Sequence, residues 1–334
     1  MDLKSLTNTG LAGQRLMVGF AGDKFSDDLR YLIGELKVGG IILFSQNITS
    51  PGQLKDLCEA MQRHAAENLN LPLFIAVDQE GGQVARLKDP FTEFPGNPHM
   101  HSEDDASQFA EITAAELVQM GFNMNMAPVL DIAPQNIESI MAQRAFGHDP
   151  AWVERLGMKV IRHLQQNSIM AVAKHFPGIG RTTLDSHTDM PSLDADLSDL
   201  QSSDIIPFKA AIDNEVSGIM LSHILYPRID PDWPASLSPR IARDLLRHHL
   251  GYTGLTLTDD LDMGAIAKHY DINTVVHQTL EAEIDVILTC HKGPNIDLAF
   301  EKILAEITGS SEFKARGVES VERIVRAKKK YLGV

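Results

Sequence analysis

Eight short apolar runs punctuate the chain, at residues 16–20, 40–44, 73–77, 122–127, 170–173, 218–221, 255–257 and 286–288. Between them lie amphipathic stretches at 53–67, 107–120, 149–166, 204–214, 239–250 and 272–283. The apolar runs are short and set between longer amphipathic stretches, which reads as strands buried on both faces. Eight strands alternating with helices predict parallel βα units. That number in this length predicts a (β/α)8 barrel of α/β class, over about residues 11–295. A helical segment over about 297–332 should follow, ending in a basic run from Arg323 to Lys330 that reads as a solvated face. A doubly wound open sheet is the alternative, but no GxGxxG follows the first strand. No internal repeat or linker-like tract interrupts 1–334, so one domain is expected.

The polar residues that end these strands carry the chemistry. The third run stops at Asp78-Gln79-Glu80-Gly81-Gly82, and the fourth leads to Asn125, Asp131 and then Arg144. The fifth stops at Lys174-His175, the sixth at Ser222-His223, the seventh at Asp259-Asp260 and the eighth at Cys290-His291. A lone strand-end Asp or His serves as a cap or a satisfied polar group. Clusters at the same end of successive strands converge, in a barrel, on one concave mouth.

The densest cluster is KHFPGIGRTTLDSH, residues 174–187. Pro177, Gly178 and Gly180 force a loop after the fifth strand. Asp185 stands two positions before His187, close enough to fix its tautomer and raise its basicity. Taken alone, Asp-x-His reads more readily as a polar loop on a buried strand; the whole run, with a cation, two histidines and an acid directly after that strand, changes the weighing. Asp259, held at the rim by the buried run before it, can attack an electrophilic carbon, and Asp260 should point to the opposite side because strand residues alternate. A nucleophilic acid plus an acid/base group is the equipment of a retaining glycosidase. Asp78, Arg86, Arg144, Lys174 and His175 would then hold hydroxyls through directional charged hydrogen bonds, as suits a sugar. For Arg86 and Arg144 an ordinary ion pair at a loop base is the competing reading.

Composition narrows the partners. The 334 residues carry 30 basic and 45 acidic side chains, a net charge of −15. That balance argues against nucleic acid and anionic membrane as partners. Two cysteines make no disulfide framework and suit a reducing cytoplasm. The opening MDLKSLTNTG has no apolar leader core, and no stretch approaches membrane-spanning length. A small carbohydrate substrate, a monomer or weak dimer, and no cofactor are expected.

The residues also carry a resemblance. GGIILFSQNI, DQEGGQVARL, MAPVLDI, RAFGHDP, KHFPGIGRTTLDSH, MLSHILYP and LTDDLDMGAI follow one another along most of the chain. In that order they resemble glycoside hydrolase family 3, and within it the single-domain bacterial β-N-acetylhexosaminidases. The resemblance implies the barrel, with Asp259 as nucleophile, His187 as acid/base and Asp185 as its partner. It implies sugar contacts at Asp78, Arg86, Arg144, Lys174 and His175, with His223 and Met263 as further candidates, and no metal. It implies release of terminal N-acetylglucosamine from peptidoglycan fragments by double displacement, in cell-wall recycling. Similar proteins usually carry a basic residue at Gln83, a histidine at Ile179 and a small polar residue at Asp262. Gln83 and Ile179 are expected near the mouth, where they would alter what sits beyond the sugar.

Other classes stay open at this stage. A β-glycosidase of different sugar preference, or a phosphorylase, could use the same site, because a neutral imidazole does not repel phosphate. A metal-dependent hydrolase could draw on His175, His187, His223 and Asp259. A non-catalytic sugar-binding protein could keep the barrel without the reaction.

Overall fold

The computed structural model describes residues 6–333. The first five residues, part of the stretch read for a leader, and Val334 lie outside it. Eight strands alternate with helices and close into a barrel. They are β1 (Leu16–Val18), β2 (Gly40–Leu43), β3 (Phe74–Val77) and β4 (Met124–Asn125), then β5 (Met170–Phe176), β6 (Gly218–Leu221), β7 (Leu255–Asp260) and β8 (Val286–Thr289). Every neighbouring pair is parallel, and β8 pairs with β1 to complete the ring. The expected (β/α)8 architecture is therefore the observed one.

The period-two rule sorts the apolar side chains. In β2, Ile42 faces the barrel interior while Ile41 and Leu43 face the helices. In β3, Phe74 and Ala76 point in and Ile75 and Val77 point out. Five methionines, Met17, Met124, Met126, Met170 and Met220, fill much of the interior, where their unbranched chains suit an irregular space. Both faces of each strand are covered, which is why the runs show no polar alternation.

Helix limits follow local chemistry. In the helix Pro51–Leu69, the Ser50 hydroxyl accepts from the Gln53 amide at 3.2 Å, Pro51 fills the first turn, and Asn70 ends it in the left-handed region. In Glu103–Met120, Ser102 and Asp105 cap each other reciprocally, and Gly121 ends the helix at φ +91°. The helix Arg240–His249 is wound as a wide π-type segment.

The helices Pro294–Gly309 and Ser311–Leu332 follow the barrel, as expected, but the basic run is only partly solvated. Ile324 joins the cluster inside the barrel from below. Arg323 donates to Asp285 at 2.9 Å, and Lys328 is fully buried. The last helix closes the barrel floor, so one stripe of its basic residues is captured by the core. No helix of the described residues is long and apolar enough to cross a membrane.

Two strands depart from regular pairing at their C-terminal ends. In β5 three steps, from Ala173 to Phe176, oppose two in β6, from Ile219 to Leu221. In β7 three steps, from Leu257 to Asp260, oppose two in β8, from Val286 to Leu288. Each strand thus carries one extra residue, a bulge that re-aims the side chains beside it.

Candidate active site

A cavity of about 420 Å³ opens at the C-terminal ends of the strands. Asp78, Arg86, Arg144, Lys174, His175, His187, Asp259 and Met263 all line it. Residues up to 185 positions apart in sequence therefore converge on one space, as strand-end clusters in a barrel should. The bulges explain why both Lys174 and His175 face it, as do both Asp259 and Asp260. The expectation that Asp260 points away is corrected on this ground, because the alternation that sends neighbours to opposite faces is broken there.

One wall is a buried network of charges. Lys174 Nζ lies 2.8 Å from Asp78 Oδ1 and 2.7 Å from Glu80 Oε1. Arg144 grips Glu80 with two contacts, Nη2 to Oε1 at 2.7 Å and Nε to Oε2 at 3.0 Å. Arg86 Nη2 reaches Asp78 Oδ2 at 3.3 Å, while its Nε is buried without a partner. A buried unpaired donor is costly, so it marks a place where a polar ligand would be welcome. Burial works to raise the Asp78 carboxyl, but Lys174 and Arg86 outweigh it and hold the group at about 2. Asp78 is thus an anion throughout the ordinary pH range, a fixed acceptor for hydroxyls.

His175 is held from behind by Asp131. The carboxylate receives Nδ1 at 2.7 Å and the Ile179 amide at 2.8 Å. Gly180 lets this loop pack closely, since a Cβ there would lie 1.8 Å from the Ile132 carbonyl oxygen.

Asp259 sits at the end of β7 and accepts from the Asp260 amide at 2.9 Å. Burial pushes its carboxyl up, but His175, His223, that amide and Lys174 together pull it below its ordinary value. It therefore faces the cavity as a carboxylate. Asp260 goes the other way: burial and its acidic neighbours Asp262 and Asp259 raise it to about 6.

His187 stands on the loop after β5 and faces the same cavity. Asp185 Oδ1 receives its Nδ1 at 2.7 Å and its backbone amide at 2.9 Å. The imidazole is thereby oriented by one carboxylate, and Nε2 is left for the cavity. Local two-residue spacing is enough to build this pair, as the sequence suggested.

Two expectations are corrected. His223 does not line the cavity. It is buried behind Asp260, with Nδ1 2.6 Å from Ser236 Oγ and Nε2 2.9 Å from the Asp260 carbonyl oxygen. Ile179 is buried in the outer core, away from the mouth. Gln83 is exposed on the turn of the Gln79–Ala85 hairpin, beside cavity-lining Val84 and so close to the mouth, as expected, without lining the cavity itself. His175, His187, His223 and Asp259 are not gathered as a ligand cluster: both ring nitrogens of His223 are engaged, by Ser236 and by the Asp260 carbonyl. The group whose ligand atoms do come within 4.8 Å of one another is Asp260, Asp262 and His291, at the rim. Asp262 is already held by Asn295 at 2.7 Å and by the His291 amide at 3.3 Å.

Residues 9–327 match the model of the glycosyl hydrolase family 3 N terminal domain. The chain belongs to glycoside hydrolase family 3. It is 35% identical over 291 residues to a beta-hexosaminidase of Nitrosomonas eutropha, covering 84% of this chain and 82% of that one. Among solved structures, a family 3 beta-N-acetylglucosaminidase from Paenibacillus sp. FPU-7 superposes with a TM-score of 0.94 at 38% identity. That match covers 98% of this chain and 63% of the longer Paenibacillus protein. A beta-N-acetylhexosaminidase from Beutenbergia cavernae gives a TM-score of 0.90 at 27% identity, each covering 99% of the other. The chain is accordingly a glycoside hydrolase, and its substrate is a carbohydrate.

Sequence reasoning gave no role to Glu80 or Asp131. Glu80 joins Lys174 to Arg144, and Asp131 sets His175. The signal that could have found them is charge balance. Two cations and a histidine expected in a buried mouth require carboxylates beside them.

Proposed function

We propose that this protein is a retaining exo-β-N-acetylglucosaminidase. It releases a terminal, non-reducing N-acetylglucosamine from peptidoglycan fragments, in cell-wall recycling in the cytoplasm. The observation that carries the reading is the shared cavity: an ionised Asp259 on a rigid strand and a carboxylate-oriented His187 on a loop both face it. Relatives named for N-acetylglucosamine and hexosamine release, and two free cysteines, support it.

The sugar sits with its hydroxyls against Asp78, Arg86, Arg144, Lys174 and His175. Asp259 attacks the anomeric carbon while His187, protonated, gives its Nε2 proton to the leaving oxygen. A covalent glycosyl–enzyme results and the aglycone departs with that proton. His187, now neutral, takes a proton from water, whose oxygen attacks the same carbon and frees Asp259. Two inversions retain the configuration. Asp185 stabilises the imidazolium whenever His187 carries the proton and keeps the ring's tautomer correct on the return step.

The test is Asp259→Ala with an aryl N-acetyl-β-glucosaminide. Turnover should fall by roughly four orders of magnitude or more, as for loss of an essential nucleophile. Near wild-type turnover would end the assignment. Aryl β-glycosides with and without the acetamido group, assayed in water and in phosphate buffer, separate sugar preference and phosphorolysis from the proposed hydrolysis.

A further inference from the structure

The loop that bears His187 is not held by its own turn alone. Three successive carbonyls, those of Ser186, His187 and Thr188, point at the segment that follows β7. Ser186 accepts from the Ala265 amide at 3.0 Å, His187 from the Gly264 amide at 3.2 Å, and Thr188 from Lys268 Nζ at 2.6 Å. Beside them, His269 Nε2 lies 2.6 Å from Asp189 Oδ1. The approach is so close that a Cβ on Gly264 would lie 2.7 Å from the carbonyl oxygens of both His187 and Thr188. Only a glycine leaves room for the loop to sit there. Within the loop, the Thr188 hydroxyl and amide both return to the Asp185 carbonyl, at 2.8 and 2.9 Å, so 185–189 moves as one turn.

The receiving segment begins four residues after Asp260. Its first turn is tied to β7, since the Met263 amide donates to the Asp260 carbonyl at 3.1 Å. The strand that presents Asp259 and the loop that presents His187 are therefore fastened to the same short piece of chain. We propose that 264–269 is a latch: Gly264, Lys268 and His269 are positioning residues that seat the Asp185–His187 turn over the nucleophile. Both latch side chains are surface-exposed and sit outside the cavity, so they act through His187 and touch no substrate. The inference rests on the proposed role of His187.

The experiment compares kcat/KM for phenyl and 2,4-dinitrophenyl N-acetyl-β-glucosaminides, which reports glycosylation alone. A dinitrophenolate leaves without a proton, whereas a phenolate needs one. The double variant Lys268→Ala/His269→Ala should lose about tenfold or more on the phenyl substrate, part of the 10²–10⁴ that general-acid catalysis supplies. On the dinitrophenyl substrate it should lose less than about threefold. Gly264→Ala, which keeps both latch side chains, should show the same selective loss. Equal losses on both substrates mean a merely structural role and overturn the latch, as do values matching wild type on both. His187→Ala, run alongside, separates the two readings. If it shows the selective loss while the latch variants do not, the latch alone fails. If His187→Ala keeps wild-type activity on the phenyl substrate, the assignment of His187 itself fails.

Discussion

Replacing Lys328 by methionine should change how stability depends on pH, and the size of the change follows from the barrel floor. The ammonium is fully buried, donates to Gln14 Oε1 at 2.7 Å and lies 5.0 Å from the Phe74 ring centroid. No carboxylate of the described residues pairs with it. Burial alone pushes it from 10.5 down to about 7. The unfolded chain therefore binds this proton up to pH 10.5, and the folded chain releases it near 7. Between those values the unfolded state holds more protons, so stability rises with pH. Below 7 both states are charged and the contribution is flat. Each pH unit within the window is worth about 1.4 kcal/mol, so folding is penalised by several kcal/mol at neutral pH relative to pH 10. Methionine fills a similar shape and does not titrate. Urea unfolding of both proteins at pH 6, 7, 8 and 9 isolates the effect, because all other groups cancel in the difference. From pH 7 to 9 the wild type should gain roughly 2–3 kcal/mol on Lys328→Met. From 6 to 7 the difference should barely move. Parallel curves from 7 to 9, within about 0.5 kcal/mol, would refute the reasoning.

The wall of the cavity supports two more predictions. Glu80→Gln leaves Lys174 and Arg144 buried with one anion fewer; unfolding in urea should show a loss of about 3–5 kcal/mol, with a raised KM, and a loss under about 1 kcal/mol would contradict the network. Asp131→Asn keeps the shape behind His175 but removes the charge on Nδ1; at about 1.5–3 kcal/mol for such a bond, kcat/KM should fall about ten- to a hundredfold, with helical circular dichroism unchanged.

The barrel was legible because each strand is buried on both faces, which leaves an uninterrupted apolar run such as Gly40–Leu43 or Phe74–Val77. Helix limits were legible where caps act locally, as at Ser50 and Ser102. The Asp185–His187 pair was legible because two residues of spacing suffice to make it. What escaped depends on distant partners. The inward turn of Asp260 needs the bulge, which exists only against β8. Glu80 looks like any loop acid until Lys174 and Arg144 arrive from 94 and 64 positions away. Lys328 belongs to a stripe that reads as solvated until its helix meets the barrel floor. Gly264 looks like a helix start, and its need for bareness appears only when the loop from β5 lies across it.

The surplus residue in each of the fifth and seventh strands has a consequence for how the mouth can change. A regular strand end offers one inward side chain, whereas these two offer a pair apiece, so four cavity-facing groups hang on two local miscounts. Excising a single residue from either end would restore the simple pleat and turn one member of a pair toward the helical shell. The mouth would lose a cavity-facing group at a stroke. Chemistry and architecture are thus separable here, and length at a strand terminus is as decisive for activity as the identity of the residues that stand there.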